Sequence, residues 1–190
     1  MAQGGSGEGS GIGKKAAGGR LARGMRALVI AIEEAKILSR MRECGARIQQ
    51  LLEPGFPDVS SGVALLRRLR SGSAEEINQL QHAALALAAV RHIQAQRPTA
   101  TLRWFWHPFQ TGGIDEPDLR ATDGARVVIS AEVTASERPV GVIDRRMAHT
   151  LRKLATMPGD LFYFVRTDAM HRRAETKIRN SGYAITAEII

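Results

Sequence analysis

The chain is poor in cysteine, in long apolar runs and in acids, and each shortage excludes something. A single cysteine, Cys44, in 190 residues cannot close an internal disulfide and cannot alone build a zinc site. A disulfide-stapled secreted scaffold is therefore excluded, and a reducing, cytoplasmic setting is expected. No apolar run approaches the roughly 18 residues of a membrane span. The longest candidate, Ala83 to Val90, is short and alanine-rich, so no membrane partner is expected. The first residues carry no apolar stretch behind their basic ones and do not read as a secretory signal. Gly11-x-Gly13-Lys14 precedes no helix of the kind a phosphate loop needs, so no nucleotide cofactor is expected.

What is present is a core-forming apolar fraction of 44% and an excess of cations, 27 Lys and Arg against 19 Asp and Glu. That apolar fraction excludes a wholly disordered basic tail, and the length suits one compact domain. The cations are mostly arginine, 22 of the 27, and they gather late in the chain. Between Arg138 and Arg179 ten cations face four acids. A field of that sign attracts phosphate backbones, and the planar guanidinium fork suits them. Solvated arginines produced by coding bias are the plain alternative.

Residues 1–24 hold nine glycines and no hydrophobic period, which reads as a flexible basic arm. From Met25 to Leu52 an interrupted apolar stripe predicts a helix, closed by Pro54 and Pro57. A short helix over 63–69 is expected next, completing an N-terminal helical segment over 25–72. Ser73 and Glu76 have the spacing of a capping box and predict the start of a further helix, buried along Ala83–Val90. After Pro98 the period changes to two. Leu102, Trp104 and Trp106 alternate with Arg103, Phe105 and His107 as a strand, with both tryptophans read as core. Gly112-Gly113 and Asp123-Gly124 mark turns around an extended piece at 117–121. A strand follows over 126–134, then a helix over 142–156 whose outer side bears Arg145, Arg146, His149, Arg152 and Lys153. A strand over 160–165, a basic helix over 169–181 ending at Gly182, and a strand over 183–190 complete an α/β order. His107 and His171 have no metal-ligand partner at useful spacing, and Cys44 reads as a packed side chain.

Two carboxylates stand out, Asp118 in Glu116-Pro117-Asp118 and Glu132 in Ala131-Glu132-Val133-Thr134. Acids brought together on neighbouring strands repel, and a divalent cation is the natural means of holding both ionised. A turn residue and a solvated edge residue are the plain alternatives. Register decides between them. A two-residue turn at Asp123-Gly124 would set Asp118 against Ile129 and turn it to the face opposite Glu132, whereas a turn centred near Ala125, or a bulge, would pair the two acids.

A strand with Pro-Asp, a turn, a strand with Glu-x-Thr, then a helix and a strand resembles the PD-(D/E)XK nuclease superfamily over residues 73–190. The resemblance implies a restriction-endonuclease-like mixed sheet flanked by helices, with Asp118 and Glu132 binding magnesium and Glu76 or Glu75 adding an outer acidic contact. It implies a magnesium-dependent DNA endonuclease of the type II restriction kind, working as a homodimer so that both strands are cut. The departure from the pattern is Thr134, where the family has lysine; a hydroxyl cannot supply that charge. Lys153 is the candidate replacement, completing a catalytic set of Asp118, Glu132, Thr134 and Lys153. Arg145, Arg146, His149, Arg152, Arg172 and Arg173 are the candidate nucleic-acid contacts. A non-catalytic nucleic-acid-binding or assembly subunit with the same fold is the alternative, and a basic scaffold within a larger complex is a third reading.

Overall fold

The computed structural model describes residues 25–97, 101–108 and 116–190; the glycine-rich arm and the Gly112-Gly113 turn lie outside them. A two-residue strand, β1 (Arg26–Ala27), opens the fold where helix was expected, and the first helix, α1 (Ile30–Leu52), starts four residues later. The next helix, α2, runs unbroken from Val59 to Gln96, which corrects two expectations. There is no separate helix over 63–69, and Ser73 is not an N-cap. Asp58 caps α2 instead, its carboxylate accepting the Ser61 backbone N–H at 2.9 Å in the usual N-cap manner. Ser73 lies buried within the helix, so the expected boundary between residues 72 and 73 falls in mid-helix. The reason is packing. Gly62, Leu65, Ser73 and Leu80 form one buried stripe at helical spacing against α1, and a stripe that continues through Ser71-Gly72-Ser73 outweighs the weak helix propensity of those three residues.

The sheet has six strands in sequence order, β1 to β6, the last five being β2 (Arg103–Trp106), β3 (Leu119–Asp123), β4 (Arg126–Thr134), β5 (Asp160–Val165) and β6 (Ile185–Ile189). The first four run antiparallel to their neighbours, and β5 and β6 continue parallel to β4. The parallel connections are made by α3 (Val142–Leu154) and α4 (Asp168–Ser181). This is a mixed α/β sheet with helices on both faces. On one face α2 buries Ala83, Leu87, Val90 and Ile93 with Trp104, Trp106, Ile129, Ala131 and Val133. On the other, Met147, Leu151 and Leu154 of α3 and Met170 and Ala174 of α4 close over Tyr163, Val165 and Ile185. Among the described residues no helix is long and apolar enough to cross a membrane.

Two local devices fix the register on which the site depends. The β3–β4 turn is Gly124-Ala125, with Asp123 opposite Arg126, and Val128 is then an extra residue in β4, because Ala121 faces Ile129 while Thr122 faces Val127. This bulge moves the remaining pairs by one, so that Leu119 faces Ala131 and the next position brings Asp118 opposite Glu132. Without it the turn would set Asp118 against Ala131 and separate the two acids onto opposite faces. The second device is Gly159, at φ 87°, where a Cβ would stand 2.5 Å from the Val128 carbonyl carbon. Only glycine lets the start of β5 approach the bulge so closely. Ser130 Oγ donates to the Pro158 carbonyl oxygen at 2.7 Å and ties the same corner.

Candidate functional site

The β3–β4 ladder stops at Leu119, and beyond it the Asp118 side chain takes over the role of the backbone. Its Oδ2 accepts the Val133 N–H at 3.0 Å and lies 3.2 Å from Nε2 of His82, which reaches across from α2. Glu132 lies within hydrogen-bonding reach of Asp118. From the opposite side Lys153 of α3 brings Nζ to 2.5 Å from Glu132 Oε1 and donates to the Glu116 carbonyl oxygen at 3.0 Å. The ammonium is thus the partner of this buried Glu132 oxygen. Thr134 exchanges a 2.7 Å hydrogen bond with Tyr163 of β5. The neighbouring acid is also occupied: Glu116 Oε2 lies 2.5 Å from Nε2 of His107, both side chains being buried.

Asp118 and Glu132 are each only 4% exposed, and burial of two acids side by side sets their titration apart. Burial and the Asp118 charge push Glu132 well above the ordinary carboxyl range, with Lys153 pulling the other way. Burial also works against ionised Asp118, but the His82 ring and the Val133 N–H outweigh it and hold this carboxyl below its ordinary value. Burial opposes charge on His82 as well, yet its bond to Asp118 wins and raises the imidazole. Tyr163 is pushed up to about 12 by burial, against the Thr134 hydrogen bond and with both carboxylates, so it remains a neutral donor at physiological pH. Two acids whose surroundings drive their pKa values apart are a pattern of functional sites.

The sequence-derived set is thus divided. Asp118, Glu132 and Lys153 are brought together, with Thr134 one strand position beyond Val133. Glu76 is not: its carboxylate is engaged by Arg47 and, at 3.8 Å, by Arg40 of α1, and it adds to the effect of burial in raising the Cys44 thiol, against the pull of Arg47. The expected outer acidic contact is corrected accordingly, and α2 contributes His82 instead, six residues or roughly 9 Å further along the axis. Among the described residues no group of three or more His, Cys, Asp or Glu side chains is disposed to hold a metal ion. Magnesium needs no such group, since it takes one or two carboxylates and completes its shell with water and substrate oxygens. Asp118 and Glu132, two neighbouring carboxylates, fit that requirement.

Arg145, Arg146, His149 and Arg152 of α3 and Arg172 of α4 are solvent-facing or nearly so, with no carboxylate partner among the described residues. Arg173 differs, because it holds Asp144 through Nε at 2.7 Å, alongside Lys177. Between the two helices lies a cleft of about 250 Å³ lined by Arg152, Arg173, Thr176, Lys177, Asn180 and Tyr183, a basic and hydrogen-bonding surface of the type that grips phosphate. His82 and the His107–Glu116 pair are the parts that the sequence reading missed. Their only signal was chemical, an imidazole beside the apolar run at Ala83 and an acid two residues before Asp118.

No family model matches the chain, and neither a curated protein nor a solved structure matches it.

Proposed function

We propose that the chain is a magnesium-dependent DNA endonuclease of the PD-(D/E)XK type, with Asp118 and Glu132 as the metal-holding carboxylates and Lys153 in place of the family lysine. The observation that supports this reading is the Lys153 ammonium 2.5 Å from Glu132, a cation that α3 brings beside the proposed metal-holding carboxylates while Thr134 carries no charge. Magnesium held there would supply an activated water and stabilise the negative charge that builds on the phosphoryl oxygens. Asp118, held below its ordinary pKa by His82 and the Val133 N–H, and the Glu132 carboxylate would hold the ion. Lys153 stands beside them as the cation that offsets negative charge in the transition state. Thr134, fixed by Tyr163, contributes a hydrogen bond and no charge. The arginines of α3 and α4 hold the flanking backbone, each as a phosphate contact without sequence information.

The test is incubation of the purified protein with plasmid and magnesium, with an EDTA control. Cleavage is expected to need magnesium and to be abolished by Asp118→Ala and by Glu132→Ala, with DNA affinity unchanged or higher because a charge that repels phosphate has gone. Undiminished cleavage by Glu132→Ala refutes the site.

A specific observation favours the alternative of a non-catalytic nucleic-acid-binding subunit. His82 against Asp118 and Lys153 against Glu132 nearly compensate one another within the fold, as a purely structural polar network would. Salt-sensitive DNA binding with no cleavage under any divalent cation decides for that reading.

A further inference from the structure

The α1–α2 hairpin has two unlike sides. Its seam is formed by Glu33, Ile37, Cys44 and Ile48 of α1 and Gly62, Leu65, Ser73 and Leu80 of α2, all buried or partly buried. The helices run antiparallel, since Glu34 pairs with Arg91 while Arg40 and Arg47 pair with Glu76. One residue after each seam position the side chains turn about 100° away from the contact. In an antiparallel pair that rotation carries both helices' flanks to the same side. There stand Leu38, Met41 and Leu52 of α1 and Val63, Leu66 and Ile77 of α2, each 37–57% exposed. On the opposite flank polar residues predominate on both helices, Lys36, Ser39, Glu43 and Gln50 on α1 and Ser61, Arg68, Glu75 and Gln79 on α2, with Ile32 and Ala64 as the apolar exceptions. A hairpin that served only as a solvated appendage would have no cause to sort its residues in this way.

We propose that this apolar side is a twofold interface with a second copy of the same chain, the two hairpins closing into a four-helix bundle. Together with Phe56 and Val59 at the hairpin tip, 60% and 85% exposed, the six residues expose on the order of 700 Å² of surface, most of it apolar. That exceeds the roughly 300–600 Å² patch of a typical monomer and approaches the roughly 800 Å² that each partner gives to a standard interface. The surface is self-complementary: an antiparallel pair of apolar stripes meets its own copy across a twofold axis with α1 on α2, the arrangement of a four-helix bundle. Two charges lie on this side: Glu34, which is paired with Arg91, and Arg70, whose long stem lets the guanidinium reach the rim. The inference does not depend on the nuclease reading, although two centres related by a twofold axis suit the cutting of two strands.

Sedimentation equilibrium of the full chain, without DNA or metal, tests it. A dimer is expected at tens of micromolar, and Leu66→Glu or Met41→Glu should weaken it by roughly 100-fold or more, since each substitution enters the interface twice. Both residues are exposed in the single chain, so far-UV circular dichroism should be unchanged. Ile32→Glu, equally exposed at 52% but on the polar side, should leave the dimer intact. A monomeric parent protein overturns the proposal, as does a dimer that survives both Leu66→Glu and Met41→Glu or that Ile32→Glu dissolves as readily.

Discussion

Removing Lys153 tests the centre of the site through stability and through rate. In the parent protein the Lys153 ammonium faces a Glu132 side chain that is 6% exposed, and is itself 15% exposed. Deleting one partner of such a pair leaves a buried carboxylate uncompensated beside Asp118, a loss of roughly 3–5 kcal/mol when nothing relaxes. Here Glu132 is already driven toward its neutral form by burial and by Asp118, and taking up a proton limits the damage. Lys153→Ala should therefore cost about 2 kcal/mol, or ~4–8 °C in melting temperature for a domain of this size. Lys177→Ala, which removes one partner of a more open pair with Asp144 at 3.2 Å, should cost at most about 1 kcal/mol. The decisive measurement is a double-mutant cycle by urea unfolding. Glu132→Gln in the Lys153→Ala background should restore most of the lost stability, because the uncompensated group has gone. If the two changes add to within ~0.5 kcal/mol, the pair is not coupled and the arrangement described above is wrong. On the kinetic side, Lys153→Ala should lower cleavage at saturating DNA while Lys177→Ala acts through affinity alone. Thr134→Lys should then recover part of the rate in the Lys153→Ala background.

Replacing Arg145, Arg152 and Arg172 together should weaken DNA binding for all sequences and flatten the log–log salt dependence by roughly one unit per lost phosphate contact; an unchanged slope would remove α3 and α4 from the backbone interface. Arg173 is left out of that set because it is committed to Asp144. Gly159→Ala should destabilise the fold by about 2–4 kcal/mol in urea titrations, since it combines a left-handed backbone with a Cβ placed 2.5 Å from backbone carbon. A variant as stable as the parent would refute the close approach. Asp144 is held at about 2 by Arg173 and Lys177 against an ordinary value of 3.8. Its contribution to stability is therefore complete above about pH 4 and disappears as the pH falls toward 2. Asp144→Asn should cost stability at neutral pH and converge with the parent in strong acid, and parallel pH profiles would show that the pairing is absent.

Elements whose pattern is local and repetitive were legible. Strict alternation from Arg126 to Thr134 marks β4 with its observed limits, and the Ile143, Met147, Leu151, Leu154 stripe marks α3 because three of the four are buried against the sheet. What escaped depended on contacts distant in sequence. The continuity of α2 through Ser71-Gly72-Ser73 is set by α1, not by the residues themselves. The Val128 bulge has no compositional signature, yet together with the Gly124-Ala125 turn it decides whether Asp118 and Glu132 meet. Glu76 was misplaced because a helix residue's neighbours follow from which face is buried, and here that face meets Arg40 and Arg47. His82 was overlooked for the same reason, its partner lying 36 residues away.

The two-residue β1 strand has a consequence for the order in which the chain assembles. Arg26 and Ala27 pair with Trp106 and Phe105, so nearly eighty residues separate the partners. Closing a flexible loop of that length costs roughly 4 kcal/mol of chain entropy before the first contact forms, more than two ladder positions return. The intervening chain is almost entirely α1 and α2, whose mutual contacts are close in sequence at the Pro54–Asp58 corner. Once they zip together, the chain that left the sheet at Leu28 returns toward it at Arg97, and the effective loop becomes short. The edge strand can therefore settle only after the helical pair has formed, which makes the outermost strand of the sheet a late reporter of an early event at the far end of the hairpin.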